Sequence, residues 1–272
     1  MKAHRLRRLI GPLGVVLALL AGGNAWAGRQ CDPQVPRAAN VERAMDLAAA
    51  TSRALEASGA QVVVLARVGQ DLREYGLRYS HLGLAYRDDA AGRDGATGRW
   101  RVVHKLNQCA AATAMLFRQG LAEFVLDDLF EYQVGIVVLD PALQARLLPI
   151  LKDNGRLAQM HEPAYNMLAY PWARRYQQSN QWAIETLAMA QEPAATDRER
   201  AQAWLKLQGY EPTSLNLGPL TRLGARVGSA HIAFDDHPDS KRFGNRIETV
   251  TVDSVFSWLT RSGLGARPVV VQ

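Results

Sequence analysis

His81 stands in Tyr79-Ser80-His81-Leu82-Gly83-Leu84, and His104 in Val102-Val103-His104-Lys105. Between them lies a polar stretch containing Asp88-Asp89, Gly92 and Asp94-Gly95. Alternating segments around an Asp/Gly-rich turn predict a β-hairpin over 79–107. His81 begins the first strand and His104 lies near the end of the second, so an antiparallel pair sets the two imidazoles side by side. Imidazoles take and give protons near neutral pH. With a nucleophile in reach, such a pair has the parts for amide or ester hydrolysis. Ser179, at the start of the helical run in Gln178-Ser179-Asn180-Gln181-Trp182, is that candidate, because a helix N-terminus favours a developing anion. Capping the helix would account for Ser179 equally well, since serine is a preferred N-cap. Asn107, Tyr176 and Asn180 have the chemistry of oxyanion donors, and equally of turn caps.

The elements that must position these residues follow from pattern. A helix is expected from Asn40, as its cap, to about Glu56, with Gly59 beyond it. Residues 61–67, Gln-Val-Val-Val-Leu-Ala-Arg, read as a buried strand. The sequence after Cys109 reads as helical to Phe130, and 134–139 as another buried strand. Asp140-Pro141 starts a helix that Asn154-Gly155 ends. The stretch 161–176 is irregular, and a helix runs on from Trp182. Thr196 and Asp197 begin a further helix through Trp204, closed by Gly209. Residues 229–234 and 247–252 alternate like strands, and Asp253 caps a last short helix. Strands and helices mix without regular βαβ alternation, so the expected class is α+β, an antiparallel sheet packed by helices.

Residues 1–27 read as a secretory signal peptide: a basic start, an apolar run over 9–21, and Ala25-Trp26-Ala27 before the cut. No later segment is long and apolar enough to cross a bilayer. The expected mature chain, 28–272, is a single domain in the periplasm or outside the cell. The formal charge of +6 falls to +2 without the signal's four basic residues, which does not indicate nucleic acid. Cys31 and Cys109 are the only two cysteines, and export favours a disulfide between them. The rival is Cys109 as a thiolate at a helix start. His231, Asp235, Asp236, His237 and Asp239 have the chemistry of a metal site but read more readily as a solvated loop ending at Pro238. No cofactor or metal is expected. Trp100, Trp172, Trp182 and Trp204 read as core, with Trp172 beside Pro171 a possible cleft wall.

Tyr79-Ser80-His81-Leu82-Gly83-Leu84 resembles the histidine strand of the circularly permuted papain-like hydrolases, the NlpC-type peptidases and lecithin:retinol acyltransferase relatives. In that group the next strand often carries a second polar residue, matched here by His104. A cysteine nucleophile opens a downstream helix, and Ser179 stands in its place. Nearly the whole mature chain also resembles the bacterial family called domain of unknown function 2145, through Ser179-Asn180-Gln181-Trp182 and Phe234-Asp235-Asp236-His237-Pro238. The papain-like resemblance implies a core over about 40–190 with a C-terminal α/β extension over about 191–272. It implies His81 as base, His104 as its orienter and Ser179 as nucleophile. Three functions follow as expectations. One is an exported hydrolase or acyltransferase acting on a cell-envelope amide or ester. Another is an inactive papain-like relative that binds an envelope peptide, lipid or small-molecule ligand. The third is a thiol enzyme using Cys109.

Overall fold

The computed structural model describes residues 36–90, 98–109, 111–218, 221–224 and 231–272. The proposed signal peptide and Cys31 lie outside them. A six-stranded antiparallel sheet has the order β4-β3-β2-β1-β5-β8. Its strands are β1 (Val62–Val68), β2 (His81–Asp88), β3 (Arg99–Asn107), β4 (Ala114–Gly120), β5 (Glu131–Val138) and β8 (Val269–Val271). Helices lie on both faces of this antiparallel sheet, and the mixture of strands and helices without parallel βαβ units is consistent with the α+β class. One face carries α1 (Ala38–Ser58) and α2 (Leu121–Val125). Their Ala44, Leu47, Leu55 and Phe124 pack on Val63, Leu65, Ala85 and Val102. The other carries α3 (Pro141–Lys152), α5 (Ser179–Gln191) and the C-terminal helix α8 (Val252–Arg261). There Leu147, Trp182, Leu187 and Trp258 pack on Val62, Val64, Leu82, Leu84 and Val103. Both faces of β1 are therefore covered, which is why its sequence is apolar from Val62 to Ala66 and not an alternation.

The remaining elements include a short 3-10 helix (Arg73–Tyr75), α4 (Asn154–Gln159), α6 (Arg198–Leu207), β6 (Thr213–Asn216), α7 (Asp239–Arg242) and β7 (Arg246–Thr249). β6 and β7 form a small separate hairpin. The C-terminal residues thread back into the main sheet, where β8 pairs with β5.

Several expectations are corrected. Residues 114–120 are a strand, not a helix. Their helix-favouring composition yields to seven register pairs with β3, from Arg101↔Gly120 to Asn107↔Ala114. Asn40 lies inside α1, whose N-cap is Arg37, and its amide instead reaches Asp128 at 2.6 Å. Asp140 caps α3 as expected, accepting from Ala142 N at 2.9 Å. That helix stops at Lys152, and Asp153 then caps α4. The last helix is capped by Thr251, while Asp253 faces the Arg78 and Tyr79 amides at 3.3–3.4 Å. Residues 231–234 are not a strand, and 229–230 lie outside the described residues.

Gly83 shows why the motif needs glycine. A Cβ there would meet Val102 Cγ1 at 2.5 Å and His104 Cβ at 3.2 Å. Gly83→Ala should therefore cost about 1–3 kcal/mol of overpacking, read by chemical denaturation. Gly218→Ala, where a Cβ meets nothing within 4 Å, should change stability by less than about 0.5 kcal/mol. Equal effects from the two would contradict this packing.

Candidate functional site

β1 and β2 pair in register at Arg67↔His81, and β2 pairs with β3 as far as Leu84↔Val103. The predicted hairpin forms and brings the imidazoles together: His81 Nε2 lies 2.8 Å from His104 Nδ1. His104 is fully buried, and its Nε2 lies 2.7 Å from Gln119 Oε1 on β4. These contacts fix the tautomers. Gln119's carbonyl oxygen can only accept, so His104 carries its proton on Nε2. His104 Nδ1 then accepts from His81 Nε2–H, and the lone pair of His81 sits on Nδ1. Phe124 packs on both rings, at centroid distances of 6.0 and 5.2 Å. Arg67 lies over the same phenyl ring and pairs with Asp127 at 2.8 Å. Burial, with the positive charge of Arg67, holds His81 well below the usual imidazole range and His104 down at about 4. Both are therefore neutral at pH 7.

Ser179 lies elsewhere. Side chains alternate along a strand, so His81 shares a face with Gly83 and Ala85, and His104 with Val102. That is the α1–α2 face. Helix α5 packs on the opposite face, against Leu82, Leu84 and Val103. No hydrogen bond joins Ser179 to either imidazole. Its hydroxyl meets the buried Tyr165 phenol, whose ionisation burial pushes up to about 12 and Ser179 partly offsets. Ser179 is not the cap either. Gln178 caps α5, accepting from Asn180 N at 3.4 Å. Asn180 Oδ1 accepts from the Leu82 backbone N–H at 3.2 Å, beyond the end of the β2–β3 ladder. Tyr176 OH faces Asp235 at 3.4 Å, and Asn107 ends β3. Cys109 sits in a turn instead of opening a helix, so it lacks the helix start on which the thiolate reading rests. Its expected partner, Cys31, lies outside the described residues.

Sequence reasoning missed a buried polar network on the α5 face. Lys105 is fully buried, and its ammonium donates to Gln177 Oε1 at 2.7 Å and to the Glu162 carbonyl. Glu185, also fully buried, takes a bidentate pair from Arg198, with Nε–Oε2 at 2.8 Å, and a bond from Gln202 at 2.7 Å. Burial and Arg198 lower the Lys105 ammonium to about 7, against the pull of Glu185 and Glu162. These residues come from distant parts of the chain and share no local motif. Parity along β3 was the available signal: Lys105 lies one residue from His104 and so on the other face.

The late cluster is not a solvated loop, for His231 and His237 are buried. His237 Nδ1 lies 3.0 Å from Asp236, and its Nε2 lies 3.1 Å from the Glu248 carbonyl. Asp236 also accepts from Tyr170 N at 2.8 Å, so the cluster ties the 166–176 segment to β7. Among the described residues, no group of three or more His, Cys, Asp or Glu is placed to hold a metal ion. No helix among them is long and apolar enough to cross a membrane.

A family model described as an uncharacterized protein conserved in bacteria (DUF2145) matches residues 54–259, well over half of the chain. No curated protein and no solved structure matches.

Depressed histidines set an acid limit. The unfolded chain takes up protons near pH 6.5, while folded His104 and His161 wait until about 4. Their contribution is complete above about 6.5 and is lost as pH falls toward 4. The melting temperature should fall between pH 7 and pH 5, and less steeply in His104→Asn. An identical fall in both proteins would contradict the assignment.

Proposed function

Because the chain belongs to the bacterial DUF2145 family, whose description assigns no activity, we propose a binding role. The protein is an exported papain-like relative that keeps a cleft without the catalytic assembly, and it holds a cell-envelope peptide. One observation carries this reading: the imidazole pair and Ser179 stand on opposite faces of the sheet. A general base must reach the proton it removes, directly or through one water. His81 and His104 instead bond to each other and to Gln119. The papain-like reading of 40–190 rests on the order His81, His104, Ser179 and on the contact of Asn180 with β2. A cleft of about 340 Å³ opens at the histidine end of the sheet, beside Val68, the neighbour of Arg67. Gln70, Arg73, Arg78 and Gln133 line it with Phe130. With Asp71, Glu131, Asp253, Leu72 and Leu77 also in its wall, that mixture of amides, guanidinium groups and carboxylates suits a polar peptide better than a lipid chain.

A second reading, an amide or ester hydrolase or acyltransferase using Ser179, has one observation in its favour. Ser179 is the first residue of a 13-residue helix and lies beside the Tyr165 phenol. Gln181 Oε1, two residues on, and His231 Nδ1, whose ring lies beside Tyr165, have no hydrogen-bond partner among the described residues.

A fluorophosphonate probe separates the two. The binding reading expects no adduct on Ser179 after prolonged exposure of the folded mature protein. It also expects Ser179→Ala to retain affinity for a soluble cell-wall peptide digest. A Ser179 adduct that His81→Ala abolishes, with the melting temperature unchanged, would establish the hydrolase instead.

A further inference from the structure

Trp172 walls a cleft. The cleft lies between the 172–174 segment and α6, has a volume of about 490 Å³, and is lined by Trp172, Arg174, Glu199, Gln202 and Lys206. Tyr210 meets the Trp172 ring edge-on at 6.0 Å, which fixes its orientation. The Lys206 ammonium lies 4.8 Å from the ring centroid, over its face. Gln202 is 5% exposed. Its amide nitrogen donates to Ala173 O at 3.1 Å and Glu185 at 2.7 Å. Those bonds lock the side chain, and among the described residues its carbonyl oxygen accepts no hydrogen bond. At the rim, Arg174 and Glu199 pair at 2.6 Å, and both are well exposed.

We propose that this cleft is a saccharide site that prefers a carboxylated sugar. A sugar has one face of polarised C–H groups and an edge of hydroxyls. The negative face of an indole attracts the first, in the position the Lys206 ammonium now holds. Planar, pre-oriented groups suit the second: Gln202 and Glu199 accept from hydroxyls, and Arg174 donates to them. An open, polar cleft with a single aromatic wall offers too little apolar enclosure for a lipid chain. Arg174 and Glu199 offset each other, so Lys206 leaves the cleft one positive charge in excess. Displaced from the ring, it pairs with a sugar carboxylate. This site is separate from the 340 Å³ cleft and does not depend on the peptide-binding reading.

Titration calorimetry of the mature protein with trigalacturonate and with neutral chitotriose tests the proposal. Trigalacturonate should bind, and chitotriose should bind more weakly. Trp172→Ala should weaken both by about tenfold or more, and Trp172→Phe should retain part of the affinity and keep the fold. Lys206→Met should remove the preference for trigalacturonate over chitotriose. No binding of either sugar, or binding indifferent to both Trp172 variants, overturns the proposal. Equal affinity for the two sugars in the wild-type protein overturns the carboxylate preference. None of these outcomes alters fluorophosphonate reactivity at Ser179, so failure here leaves the binding reading standing.

Discussion

Successive side chains of a strand leave it on opposite faces, and in β2 and β3 that alternation decides which groups can meet. It sends His81 and His104 toward α1 and α2, and Leu82, Leu84, Val103 and Lys105 toward α5. A one-residue shift of either strand would exchange the two sets. Gly83 helps to hold the strands where they are, because the space a Cβ would fill is already taken by Val102 and His104. The imidazole pair depends on this arrangement, and so does the buried ionic network behind it.

The two faces are held differently. On the histidine face, two neutral rings share one hydrogen bond beneath Phe124, beside the Arg67–Asp127 pair. On the α5 face, a charged network sits where every residue from Ser179 to Ala190 is buried. Glu185 is satisfied there by Arg198, Gln177 and Gln202 together. Removing one member of such a network strands a charge, at a cost of about 3–5 kcal/mol. The network joins β3, α5, α6 and the 160–177 segment. It thereby fixes the Trp172 end of that segment against α6, where Gln202 bonds to Ala173.

Much of the fold was legible because its signals are local. The Asp/Gly-rich turn between alternating segments marked β2 and β3, the apolar run at 62–65 marked β1, and Asp140-Pro141 marked the start of α3. β4 was not legible, since Ala111-Ala112-Thr113-Ala114-Met115-Leu116 favours a helix until β3 offers it a partner. The imidazole contact was legible for the same local reason as the hairpin. The face it occupies was readable from parity, because His81, Gly83 and Ala85 alternate with Leu82, Leu84 and Tyr86. The face of Lys105 was readable in the same way, but Tyr165 and the partners Gln177, Glu185 and Arg198 had no such signal. Their positions depend on how distant segments pack.

The central claim is that the histidine pair is a closed structural unit that does not serve Ser179. Two-dimensional ¹⁵N–¹H spectra of the imidazoles test it in the wild-type protein and in Ser179→Ala. The structure predicts that both rings are neutral at pH 7 with the proton on Nε2, and that the variant has the same tautomers and the same titration of His81. A His81 resonance that moves or titrates differently when the Ser179 hydroxyl is removed would contradict the account and return the two groups to one site.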